Sequence, residues 1–200
     1  MKVTIEKAFP IAAAPQATWN VLRDIEAVAP CMPGAKITER IDDTHYKGAV
    51  AVKVGPASLS FRGEIEVAAL DPAAMMIHLL AKGMDSTGSS TASMDLTATV
   101  EAADGGASVL KGVCESTVNG KAAAFGGRLM NSVADQILDQ FAANFSLRVT
   151  ATATSATAAA ESTLAAATVA DVAPAQQLDG LALAWGAFKS WLRNLFGKKS

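Results

Sequence analysis

The stretch KAAAFGGRLMNSVADQILDQFAANFSL, residues 121–147, decides the fold. Phe125, Leu129, Val133, Ile137, Phe141 and Phe145 recur every fourth residue, with Met130, Ala134 and Leu138 beside them. One wide apolar stripe therefore runs the whole length of a helix. At 1.5 Å per residue that helix is roughly 40 Å long, and it can bury its stripe only against something large. The residues before it read as strands. The expectation is an α+β fold, a curved antiparallel sheet of about seven strands wrapped around a long C-terminal helix.

Upstream, Val3 and Ile5 alternate with Lys2, Thr4 and Glu6 as a half-buried strand. Pro15 opens a short helix with Trp19, Leu22 and Ile25 on its apolar face. The prolines and glycine of APCMPG, residues 29–34, end it. From Ala35 to Asn119 the alternation is sustained. Leu59, Phe61, Ile65 and Val67 oppose Ser60, Arg62, Glu64 and Glu66; Tyr46, Val50, Val52 and Val54 oppose Lys47 and Lys53. Met75, Ile77 and Leu79 oppose His78, and Met94, Leu96, Ala98 and Val100 oppose Asp95, Thr97 and Thr99. Asp42-Asp43, Gly55-Pro56, Asp71-Pro72 and Asp104-Gly105-Gly106 mark the turns of an antiparallel meander. In the last strand, Leu110, Cys114 and Val118 compete with Val109, Val113 and Thr117 for the inward face.

A single helix layer over a curled sheet either packs solid or leaves a cavity, and the small, adaptable inward set is compatible with both. The candidate lining is Trp19, Leu22, Met32, Val50, Val52, Phe61, Ile65, Met75, Ile77, Leu79, Met94, Leu96, Phe125, Gly126, Leu129, Met130 and Val133. Gly126 and Gly127, read as interior helix positions, each cost on the order of 1 kcal/mol relative to alanine, so close approach of a strand or a ligand is the expected compensation. Arg128 either donates to a ligand carbonyl or points to solvent. Cys31 is expected to line or close the cavity mouth as a small hydrophobe.

The order of elements, with PQATWNVLRDIEAVAPCMPGA, VGPASLSFRGEIEV and VNGKAAAFGGRLM, resembles the carbon monoxide dehydrogenase G-subunit family of the START-like (SRPBCC) helix-grip superfamily, over residues 1 to about 149. The resemblance implies a deep apolar cavity, an accessory role beside a molybdenum-containing dehydrogenase, and a bound apolar ligand such as a membrane quinone, menaquinone or ubiquinone, or an isoprenoid lipid. No metal or covalent cofactor is expected.

Chemistry-bearing motifs are sparse. The sequence has no HExxH, phosphate loop, dinucleotide fingerprint or Ser/His/Asp set. His45 and His78 read as surface histidines, and Glu64, Glu66, Asp135 and Asp139 as wet faces. Asp135 and Asp139 form an i,i+4 like-charge pair that is mildly unfavourable in a helix. Cys31 and Cys114 make no metal motif and no disulfide framework. A net charge of −2 gives no reason to expect nucleic acid. Glu6 interrupts any signal-peptide core, and no run of 18 apolar residues exists.

After residue 149 the composition changes. Residues 150–177 are nearly all Ala, Thr, Ser and Val, which reads as a flexible linker with some capacity for helix. Residues 178–200 regain pattern: Leu181, Trp185, Phe188, Trp191, Leu192, Leu195 and Phe196 form an apolar face, with Lys189, Arg193, Lys198 and Lys199 against one acid, Asp179. A tryptophan-rich basic helix too polar to span belongs at a bilayer interface, where each cation near an anionic leaflet contributes about 1 kcal/mol; the alternative is a helix that docks onto a partner protein such as the dehydrogenase itself.

The expected organisation is thus a ligand-binding domain over 1–149, the linker, and an attachment helix over 178–200 on a cytoplasmic protein peripheral to the inner face of the cell membrane. The leading functional reading is a non-catalytic quinone- or lipid-binding partner of the dehydrogenase. A recruitment or maturation factor with a filled core, and a cyclase- or aromatase-like enzyme, stand as alternatives.

Overall fold

The computed structural model describes the backbone of residues 1–54 and 57–167. Ten-residue β1 (Lys2–Ile11) leads into α1 (Pro15–Leu22) and α2 (Ile25–Val28). Six strands follow, β2 (Ala35–Arg40), β3 (His45–Val54), β4 (Ala57–Asp71), β5 (Met76–Asp85), β6 (Ser90–Ala102) and β7 (Ser108–Gly120). A 3₁₀ turn, Lys121–Phe125, then hands the chain to α3 (Gly127–Ala167).

The seven strands form one antiparallel sheet in the order β1-β7-β6-β5-β4-β3-β2. The first strand therefore pairs with the last, as expected when a meander curls back on itself. Side-chain parity follows the predicted alternation, and β7 resolves its ambiguity: Leu110 and Val118 are buried while Val113 is 45% exposed. The reason is register. Leu110 sits opposite Phe9 and Val100, and Cys114 opposite Ile5 and Leu96, all on the concave side.

Curvature has a local origin. Gly48, Gly63 and Gly83 stand in register across β3, β4 and β5. A Cβ on Gly63 would run into the carbonyl oxygen of Lys82 and the Cα of Gly83. Only a residue without a side chain lets these strands approach so closely at the bend.

Pro15 occupies the first turn of α1, where its missing N–H costs nothing. Asp24 separates α1 from α2 and caps the latter, accepting from the Ala27 N–H at 3.0 Å. Buried Thr18 of α1 shares a hydrogen bond with Ser108 of β7 at 2.8 Å, and the Ser108 hydroxyl lies 2.9 Å from the Ala13 carbonyl oxygen. Those contacts fix the helical pair to the sheet.

The helix entry differs from the expectation of one uninterrupted helix through Phe125. Residues 121–125 are 3₁₀, and Gly126 has φ +79°, a conformation that side-chain-bearing residues rarely adopt. Gly126 is a junction, not an interior helix position. Nothing lies within 4 Å of where its Cβ would be, so neither a strand nor a close backbone approach explains it.

At the other end α3 continues through 150–167, where the composition predicts a flexible linker. Alanine has the best helix propensity. Thr150, Thr152, Thr154 and Ser155 also satisfy their hydroxyls locally, each bonding the carbonyl four residues back at 2.9–3.0 Å. Among the described residues, Val149 is the last fully buried one of the stripe. The predicted attachment helix, 178–200, lies outside the described residues. Among the described residues, no helix is long and apolar enough to cross a membrane.

Candidate functional site: a half-covered slot between helix and sheet

The apolar stripe of α3 is covered unevenly. Phe141, Phe145 and Val149 are buried, the last two at 0% exposure. They pack with Ile11, Trp19, Leu22, Ile25, Cys31, Ile77, Val100 and Leu110 in one cluster. Phe141 stacks on Phe145 at 5.5 Å between centroids and meets Phe9 edge-on at 6.5 Å. Asn144 donates its side-chain amide to the Cys31 carbonyl at 3.0 Å, pinning the helix to the α2–β2 connection. This end is a filled core.

Toward the N-terminus of the same helix, Met130, Val133, Ala134, Ile137 and Leu138 are only half-buried. Apolar inward positions of the sheet outside that cluster are also half-buried: Val3 and Ile5 on β1, Met94 and Leu96 on β6, Ala81 on β5, Phe61 on β4, Val50 and Val52 on β3. Apolar positions of intermediate exposure on the helix and on the inward face of the sheet are the candidate walls of a slot between them.

The candidate lining residues accordingly separate into groups. Val50, Val52, Phe61, Met94, Leu96, Met130 and Val133 are half-buried and lie outside the core cluster, as the candidate walls of a slot, and half-buried Phe125 and Gly126 lie at the helix entry. Trp19, Leu22 and Ile77, at 1%, 5% and 1% exposure, belong to the packed core, with Met32, Ile65, Met75 and Leu79 against it. Leu129 is 38% exposed, off the wall. Cys31 is at the filled end and not at a mouth: its thiol donates to the Ala27 carbonyl at 3.7 Å, and burial pushes its pKa up. Helical phase alone does not reveal that α1 and α2 plug one end of the barrel.

Two shallow hollows of about 510 and 310 Å³ are both on the convex face. Their linings include polar and charged residues, Arg62, Glu64, Lys82 and Ser93 in the first and Lys2, Asp95 and Glu115 in the second. Neither lies between helix and sheet.

The polar groups near the slot are few. Cys114, with its pKa raised by burial, contacts the Ser116 hydroxyl at 3.4 Å on the concave face of β7. Lys7, on the inward parity of β1, pairs with Asp135 of α3 at 2.8 Å. Its pKa is raised by the hydrogen bond to Asp135, with a further contribution from Asp139. The like-charge pair on the helix thus has a cation facing it, a relation no local reading of α3 reveals. Both histidines sit away from the slot, His45 beside Asp42 at 3.0 Å and His78 beside Asp95 at 2.8 Å on the outer face. Among the described residues, no three His, Cys, Asp or Glu side chains converge as metal ligands would.

A seven-stranded curved sheet closed by one long C-terminal helix is a START-like helix-grip fold. The solved structures similar to this chain share that fold. One is a conserved protein from Geobacillus kaustophilus, TM-score 0.67 at 20% identity, covering 74% of this chain and 95% of its own. A START superfamily protein from Mycobacterium smegmatis gives 0.52 at 17%, covering 73% and 96%. The ZhuI aromatase/cyclase from Streptomyces sp. R1128 gives 0.54 at 15%, covering 74% and 94%. At these identities the likeness is one of fold alone.

The family model for the carbon monoxide dehydrogenase G subunit (CoxG) matches residues 8–150, and the chain belongs to that family. Membership places it among accessory proteins associated with a carbon monoxide dehydrogenase. No curated protein matches the sequence.

Proposed function

We propose that this protein is a non-catalytic accessory protein that carries a membrane quinone, menaquinone or ubiquinone, or a similar isoprenoid lipid in the slot beneath α3, and links a molybdenum-containing dehydrogenase to the membrane and its quinone pool. The observation that carries the reading is the uneven cover of a single helix. One half of the stripe is sealed by α1 and α2, while the other half faces an apolar wall that leaves it half-exposed. Exposed apolar surface costs about 25 cal/mol per Å², so an apolar occupant is the economical way to cover both walls. Quinone reduction would take place at the dehydrogenase, with this protein a carrier and not a catalyst. The basic, tryptophan-rich segment 178–200 supplies peripheral attachment at the inner membrane face, where such a ligand is dissolved.

The test is mass analysis of solvent extracts from the purified full chain, made in a host that synthesises quinones. Recovery of a quinone or isoprenoid near one per protein supports the carrier. Its absence, with the folded protein intact, overturns it. A recruitment factor without ligand is the second reading, favoured by the position of both described hollows on the convex face. It predicts an empty extract together with retained binding to the dehydrogenase.

A further inference from the structure

Inward positions of β1 read Val3, Ile5, Lys7, Phe9, Ile11, and the lysine breaks an otherwise apolar series. Few charged side chains hold such positions among the described residues. Asp85 is committed to the β5–β6 turn, accepting from Thr87 Oγ1 at 2.5 Å and the Ser90 N–H at 2.7 Å. Arg40 lies at the end of edge strand β2, over the Tyr46 ring at 5.8 Å and paired with Asp43. Among the described residues, Lys7 is the charged group that stands within a wall of the slot.

Its place along that wall is specific. The next inward residue, Phe9, meets Phe141 in the filled core, and the preceding one, Ile5, is half-covered. Lys7 therefore marks the level at which packed core gives way to slot. Beside it in register are Gly112 and then Ala98, which leave the concave surface low around the lysine stem. Its present partner is a weak competitor. The two side chains are 37% and 55% exposed, and ion pairs so hydrated contribute little net stability.

We propose that Lys7 is the headgroup-binding residue of the slot: its ammonium, released from Asp135, donates a hydrogen bond to an acceptor oxygen at the polar end of an apolar-chain ligand, a carbonyl or a carboxylate. The chain then extends along Ile5, Leu96, Met94 and Val133. Asp135 and Asp139 hold the lysine charged and correctly placed while the slot is empty. This deepens the carrier reading and rests on it. An inward lysine on an edge strand also discourages edge-to-edge pairing, so the test must separate the two roles.

The experiment compares full-length wild type, Lys7→Met, which keeps the stem without the charge, and Asp135→Asn. The probes are menaquinone-4 and squalene, an isoprenoid hydrocarbon of similar bulk with no oxygen, with binding followed by tryptophan fluorescence. Loss of a charge-assisted hydrogen bond predicts roughly tenfold weaker menaquinone-4 binding in Lys7→Met, with squalene binding unchanged. Asp135→Asn, which frees the lysine, should hold or strengthen menaquinone-4 binding. Equal weakening for both probes, or no change for either, overturns the assignment. If wild type binds neither probe, the carrier reading itself fails, a distinguishable outcome.

Discussion

Truncation at the two ends of the α3 stripe should have opposite consequences. Phe145 is fully buried and stacked on Phe141. A buried phenylalanine removes about 150–200 Å² of surface from water, which at about 25 cal/mol per Å² is about 4–5 kcal/mol. Phe145→Ala should therefore cost about 3–5 kcal/mol, lowering Tm by roughly 10 °C at about 2–4 °C per kcal/mol. Val133 is half-covered, and a valine-to-alanine change removes two methyl-sized groups worth ~0.8 kcal/mol each when fully buried. Val133→Ala should cost less than about 1 kcal/mol. The assay is urea unfolding of the full chain, paired with ligand retention in the purified protein. The reasoning holds if Phe145→Ala is the destabilising change and Val133→Ala mainly alters retention. A loss at Val133 equal to a full-burial valine deletion, with retention unaffected, would refute the half-covered slot.

Three further outcomes follow from particular contacts. Gly63→Ala forces a methyl into the Lys82 carbonyl oxygen at the sheet bend, and should cost about 3 kcal/mol or more as overpacking against backbone; a urea midpoint within error of wild type would show that the strands part freely there. Asp42, bonded by the Thr44 and His45 N–H groups and the His45 ring, has its pKa held well below the usual carboxylate range, the Thr44 backbone bond being the largest cause. Its contribution is present above the unfolded value of about 4 and fades as pH falls toward the lower folded value. The stability gap between wild type and Asp42→Ala should therefore narrow between about pH 5 and pH 2 in denaturant titrations, and a constant gap would contradict the assignment. Deleting residues 178–200 should release the protein from vesicles containing anionic lipid, by about fivefold per basic residue removed; continued co-sedimentation would place membrane binding elsewhere.

Much of this fold is legible in the sequence because its periodicities are long and uninterrupted. The i,i+4 run from Val133 to Phe145 and the alternation in Leu59–Val67 each specify an element and the face it turns inward. Long-range geometry is what local pattern omits. Trp19 and Leu22 have the same apolar character as Met130 and Val133, yet α1 folds over one end of the barrel and makes the first pair core. The ambiguous parity of β7 is decided by its pairing with β6 and with β1, the strand at the far end of the sequence. Asp135 looks unpaired on its helix until β1 brings Lys7 beside it. Gly126 misleads for another reason: a glycine within an apolar period looks like an interruption of one helix, while its positive φ makes it the boundary between two.

The glycine row of Gly48, Gly63 and Gly83 separates two properties that are usually entangled. Those residues set how tightly the sheet bends, and hence the depth of the concave surface, while contributing no side chain to it. The wall itself is supplied by other positions on the same strands, such as Val50, Phe61 and Ala81. Exchanges at the wall can therefore retune which molecule is accommodated without altering the bend, so relatives with the same glycines could hold a common container shape while diverging in cargo.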